Sequence, residues 1–208
     1  MNLAFVVMLP FLGAFLPPLV ERVTGNRTLL ACGAAALPAL ALALLFNPAR
    51  KVFAGETLHS TLTWIPSLDL SLAFRLDGLA LLFAILVLGI GLLVILYARY
   101  YLSAKEKAGR FYAYLLLFMG AMLGVVTSDN LLLLVVFWEL TSLSSFLLIG
   151  FWGHKTEARK GARMAMTVTG MGGLALLAGV LLIGDVVGSF SLTEVLASGD
   201  LIRGSELY

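Results

Sequence analysis

The stretch Asp129 to Trp152, DNLLLLVVFWELTSLSSFLLIGFW, limits what this chain can be more than any other. It is long and apolar enough to cross a bilayer as a helix, and it carries one carboxylate in its interior, Glu139. Glu139 lies nine residues in from Asn130, and a helix rises 1.5 Å per residue. The carboxylate therefore sits roughly 13 Å along the axis, near the middle of a hydrocarbon core about 30 Å thick. A charge there costs on the order of 3 kcal/mol on insertion scales, so intramembrane acids usually face a bundle interior or a wet cavity and mark ion or proton pathways. The competing explanation is a neutral buried carboxyl that only packs helices. Ser142 and Ser145 continue a polar stripe beside Glu139, widened by Thr141 and Ser144, which favours the pathway. Hydroxyls of this kind also bond carbonyls of their own helix, so they support that choice without deciding it.

The rest of the chain agrees with a membrane setting. Of 208 residues, 61% are apolar and 12% charged, against about 25% charged in soluble domains. The net charge is +2, and the basic residues lie between apolar segments rather than clustered with aromatics. No nucleic-acid partner is expected. The single cysteine, Cys32, cannot form an internal disulfide.

The apolar pattern predicts an all-α integral membrane protein with six spans, near residues 3–20, 29–46, 76–98, 111–126, 131–151 and 162–183. Pro10, Pro17 and Pro18 are expected to kink and then end the first span, and Asn47 and Pro48 to close the second. Residues 49–75, with Thr57, Thr61, Thr63, Trp64 and Pro66, read as an ordered outer loop or short hairpin. Only residues 127–130 separate the fourth and fifth spans, so those must form an antiparallel pair. Gly161, Ala165, Thr169 and Gly173 form a small-residue ridge that lets a neighbouring helix approach the sixth span, a packing role. The transmembrane domain is expected to occupy residues 1–185. The segment 186–208 reads as a polar stretch on the outer face, a short amphipathic helix or loop.

Ten of the fourteen basic residues fall in the loops after the first, third and fifth spans. The positive-inside rule then places those loops in the cytoplasm and both termini of this chain outside. His59, in the outer loop, and His154, after the fifth span, have no partner at metal-ligand spacing. His154 lies beside Lys155 and in line with the Glu139 helix, and is a secondary candidate for passing protons near neutral pH. Asp77 and Asp129 fall at helix N-termini, where capping and the helix dipole explain them. No phosphate loop, dinucleotide fingerprint, HExxH or cysteine pair is present, and no cofactor or metal is expected.

SDNLLLLVVFWELTSLSSFLLIGFW, together with RLDGLALLFAILVLGIGLLVILYARYYLSAKEKAGRFYAYLLLFMGAMLGVV, resembles the large A subunit of the Mrp-type multisubunit Na+/H+ antiporter. That subunit is similar to the antiporter-like proton-pumping subunits of respiratory complex I. The resemblance runs from the first span to Tyr208, and its motif residues are Asp129, Asn130, Trp138, Glu139 and the pair Gly150–Phe151. It implies a secondary transporter subunit rather than an enzyme, in a prokaryotic plasma membrane, working with other subunits and moving Na+ and H+. It also implies a half-channel in which Glu139 pairs with a lysine on a broken seventh helix. The chain ends at Tyr208, before such a helix, so the expectation is a truncated antiporter-like fold, a fragment or a split subunit, with Glu139 lacking its partner. The alternatives are the corresponding subunit of a redox-driven pump and a non-transporting assembly scaffold.

Overall fold

The computed structural model describes residues 3–65, 70–103 and 105–205, with side chains described at all of these except 63–65 and 70. Pro66 and Tyr208 lie outside the described residues, as do the side chains of Thr63 and Trp64. Six helical segments are long and apolar enough to cross a membrane: Leu3–Thr24, Arg27–Phe53, Gly78–Tyr101, Ala108–Thr127, Leu131–Ile149 and Thr156–Val187.

The first two segments are each interrupted. α1 (Leu3–Gly13) carries Pro10, and after a turn at Ala14 and Phe15 the chain resumes as α2 (Leu16–Thr24). Pro17 and Pro18 do not end the span as expected. They occupy the first turn of α2, where a missing N–H leaves no intrahelical bond unmade, and the helix runs on to Gly25 in the left-handed region, φ 61°. The second span differs in the same way. α3 (Arg27–Leu44) gives way at Leu45 to α4 (Phe46–Phe53), and Pro48 sits in the opening turn of α4 instead of stopping the helix.

The loop between the second and third spans is a hairpin: β1 (Leu58–Ile65) pairs antiparallel with β2 (Leu70–Leu76) from Leu58↔Leu76, with an irregularity between Thr63 and Ile65. Asp77 then caps α5 (Gly78–Tyr101), its Oδ1 accepting from the Ala80 N–H at 2.9 Å. α6 (Ala108–Thr127) and α7 (Leu131–Ile149) are joined by Ser128, Asp129 and Asn130, and the shortness of that link makes them antiparallel neighbours. The two pack closely because Gly124 leaves its surface to the ring of Phe137, which also meets Phe11 and Phe74 with ring centroids 6.3 and 6.1 Å away. The main core, built around Leu88, Leu116, Met119 and Phe137, thus joins α1, α5, α6, α7 and β2.

α8 (Thr156–Val187) lies at one side of this bundle and leans on α7. It buries Ala162, Gly173, Val180 and Gly184, while Met164, Val168, Met171 and Leu174 remain 63–72% exposed. Beyond it, α9 (Leu192–Ala197) and α10 (Gly199–Arg203) are two short helices, the second packed on α8.

Candidate functional site: a carboxylate between two helices

α7 forms because Asn130 caps it, its side chain accepting the Leu133 N–H at 3.0 Å, and because a continuous apolar run follows. Glu139 falls half-way along α7 and is half-buried. Its carboxylate is turned to α8 and lies over Gly173, a buried glycine. A Cβ at Gly173 would overlap the carboxylate oxygen, stand 2.9 Å from its Cδ and 3.4 Å from Trp138 Cδ1. The absence of a side chain at Gly173 is therefore what lets the acid reach the backbone of α8.

The four residues of the small ridge have separate fates. Gly173 is buried, Ala165 half-buried, and Gly161 and Thr169 exposed, with the Thr169 hydroxyl donating to the Ala165 carbonyl at 2.9 Å. Four-residue steps turn about 40° per step around a helix, so a stripe of that spacing leaves any straight contact line within three steps. The buried face of α8 instead follows Ala162, Gly173, Val180 and Gly184.

Three of the hydroxyls near Glu139 are engaged within their own helix. Thr141 and Ser142 both donate to the Trp138 carbonyl, at 2.7 and 3.3 Å, and Ser144 donates to the Leu140 carbonyl at 2.7 Å. Ser142 is buried and Ser145 half-buried. His154 is exposed in the turn that follows α7, beside Lys155, whose ammonium stands 5.2 Å over the Trp152 ring. Among the described residues no basic side chain forms an ion pair with Glu139, and no group of three His, Cys, Asp or Glu is placed to hold a metal ion.

A second cluster caps the bundle on the hairpin side. Asp129 does not cap α7, as its position suggested, because Asn130 holds the capping place, and Asp129 is buried against other segments. Its carboxylate meets His59 Nδ1 at 3.1 Å and accepts the Thr193 hydroxyl at 2.8 Å. Its N–H donates to the Ala73 carbonyl and its own carbonyl accepts from the Leu192 N–H, each at 2.8 Å. The hairpin, at His59 and Ala73, and the segment at residues 192–193 are thereby tied to Asp129. Arg75 pairs with Asp77 close by. Burial alone would raise the Asp77 carboxyl, but the Ala80 N–H and the Arg75 guanidinium outweigh it and hold it below its ordinary range.

On the opposite side, the Trp152 indole N–H donates to the Glu106 carboxylate, and Arg27 Nη2 donates to the carbonyls of Ser103 and Glu106 at 2.7 and 3.0 Å. The indole bond is the main reason the Glu106 carboxyl lies below its ordinary range, with the Ser103 N–H and the Arg27 charge adding to it.

Two family descriptions match stretches of this chain. The one described as the N-terminus of chain 5 of NADH-ubiquinone oxidoreductase (complex I) covers residues 63–112, and the one described as the transmembrane part of NADH:quinone oxidoreductases and Mrp antiporters covers residues 128–205. The A subunit of the Na(+)/H(+) antiporter of Alkalihalophilus pseudofirmus is 50% identical over 155 residues, 74% of this chain and 19% of that protein. The A1 subunit of the Na(+)/H(+) antiporter of Staphylococcus haemolyticus is 43% identical over 206 residues, 99% of this chain and 26% of the relative. The chain belongs to the Mrp antiporter A-subunit family. The A/B subunit of a probable K(+)/H(+) antiporter of Rhizobium meliloti is 56% identical over 157 residues, 76% of this chain and 16% of the relative. The chain thus spans about a quarter or less of the length of these relatives. Among solved structures, the Mrp complex of Dietzia sp. superposes with a TM-score of 0.82 at 31% identity, over 93% of this chain and 20% of the matched one. An archaeal membrane-bound sulfane sulfur reductase shares the fold, with a TM-score of 0.73 at 20% identity over 92% of this chain and 29% of the matched one. The relatives are named as antiporter subunits, which are secondary transporters rather than enzymes.

Proposed function

We propose that these six helices form part of the large subunit of a multisubunit cation/proton antiporter, and that Glu139 is a proton-accepting group on its proton path. The observation that carries the reading is the placement of Glu139: a single acid at mid-span, half-buried, seated on the bare backbone of Gly173 between two membrane-length helices. Family membership supports the antiporter class, and names of Na(+)/H(+) antiporter subunits among the relatives support sodium as the exchanged cation. The protein would lie in a prokaryotic plasma membrane with the basic loops inside and other subunits around it. In this reading Glu139 takes up and gives up a proton as cations move through the complex.

Ser142 and Ser145 lie along the approach to Glu139 on α7. With the Ser142 hydroxyl bonded to its own helix, transfer along this stripe requires that bond to exchange, or water to stand beside it. His154 is a candidate donor at the basic face. The corresponding subunit of a redox-driven pump is the second reading, supported by the match to complex I chain 5 over residues 63–112.

The test is exchange by the complete complex in everted membrane vesicles, with Na+ added to a preformed pH gradient. Glu139→Gln, close in volume but unable to titrate, is expected to abolish sodium-dependent dissipation while the complex still assembles. Full exchange by that variant would refute the proton role. A requirement for an electron donor would favour the redox pump.

A further inference from the structure

A cavity of about 380 Å³ opens at the basic face, between α6, the end of α7 and the start of α8. Three of its lining residues are Arg110, Arg159 and Arg163, and its walls include Tyr114, Phe146 and Ala162. Each guanidinium is steadied by a backbone carbonyl. Arg110 Nη2 donates to Phe151 O at 3.1 Å, Arg159 Nη1 to Gly153 O at 2.8 Å, and Arg163 Nε to Arg159 O at 3.4 Å. A guanidinium has five N–H donors, so several remain on each arginine. Among the described residues none of the three pairs with a carboxylate. The acids nearest in sequence are engaged elsewhere: Glu157 is paired with Lys160 at 3.9 Å, and Glu106, four residues before Arg110, accepts the Trp152 indole N–H. The positive end of the 32-residue α8 begins at Thr156, on the same side.

Three exposed guanidiniums around a concave space, with no ion pair to a carboxylate among the described residues, make a receptor for a phosphate group. They also make a poor mouth for a cation, since each repels one. The apolar wall from Phe146 and Ala162, beside arginines at the ends of membrane-length helices, suits a place where a lipid headgroup meets the hydrocarbon. We propose that this cavity binds the headgroup phosphate of an anionic phospholipid, held by Arg159 and Arg163 on one side and Arg110 on the other.

The experiment is native mass spectrometry of the full complex in detergent, titrated separately with phosphatidylglycerol, phosphatidylcholine and inorganic phosphate. The double variant R159Q/R163Q removes two forks but leaves Arg110, which also holds the end of α7. R22Q removes a basic charge at the end of α2, away from the cavity, and serves as the control. The wild type and R22Q are expected to retain phosphatidylglycerol, with affinity in R159Q/R163Q at least about tenfold weaker. Phosphatidylcholine should bind more weakly than phosphatidylglycerol to the wild type and be little affected by the double variant. Equal retention of phosphatidylglycerol by the wild type and R159Q/R163Q would overturn the proposal. Arginine-dependent binding of inorganic phosphate without arginine-dependent lipid retention would overturn its lipid source.

Discussion

The carboxylate of Glu139 occupies the space that a side chain at Gly173 would need. One helix supplies the acid and the next supplies the opening for it, so the register of α7 against α8 decides where the acid lies. Gly172, one residue earlier, has nothing within 4 Å of a Cβ placed on it, which makes the pair a matched test. Gly173→Ala should overpack the contact by about 1–3 kcal/mol and turn Glu139 away from α8. If that seat serves proton uptake, sodium-dependent exchange falls roughly tenfold in Gly173→Ala, or its pH profile moves, with little change in Gly172→Ala. Equal activity in the two variants would show that the seat has no part in exchange.

Gly124 and Phe137 form a similar pair at the α6–α7 contact, and here the expected effect is on stability. A methyl group at Gly124 would overlap the Phe137 ring. Gly124→Ala should lower the thermal midpoint of the detergent-solubilised complex, through overpacking of about 1–3 kcal/mol. The double change Gly124→Ala with Phe137→Leu should recover part of that loss, because the ring is what the methyl group meets.

Asp129 joins the hairpin to the segment after α8 through His59 and Thr193. Asp129→Ala leaves both partners without their acceptor, at a local cost of about 1–3 kcal/mol. Hydrogen–deuterium exchange should then quicken in residues 58–65 and 192–197 while the amides in the middle of α6 stay protected. Uniform exchange rates in the variant and the wild type would contradict the tie.

The Glu106 carboxyl is held below its ordinary value of 4.5 by the Trp152 indole, the Ser103 N–H and the Arg27 charge. A carboxyl lowered on folding stabilises above its unfolded value, and that contribution fades as pH falls through the folded one. Acidification from neutral pH should therefore loosen the contact between Glu106 and Trp152, just past α7, only below about pH 4.5. Tryptophan fluorescence should report the change, and Glu106→Gln should remove that part of its pH dependence.

The spans and the α6–α7 hairpin were legible because a long apolar run has one satisfactory place in a bilayer and a three-residue link permits one geometry. Asp77 as a cap was legible for the same local reason. The prolines misled because Pro17, Pro18 and Pro48 fit either the end of one helix or the first turn of the next, and only the following residues' packing decides. Asp129, His59 and Thr193 were hidden by distance, since His59 and Thr193 lie far apart in the chain and no local pattern connects them. Glu139 stood out from its chemistry. Gly173 was visible only as one small residue in a ridge, since no sequence pattern states which face of α8 meets the acid.

The proposed proton uptake and release by Glu139 can be tested directly by infrared difference spectroscopy of the intact complex, across the pH range in which it exchanges cations. A protonated-carboxyl band should appear as pH falls, vanish in Glu139→Gln and shift in Gly173→Ala. A band that survives unchanged in Glu139→Gln, in a complex that still exchanges, would contradict the assignment of the proton to this residue.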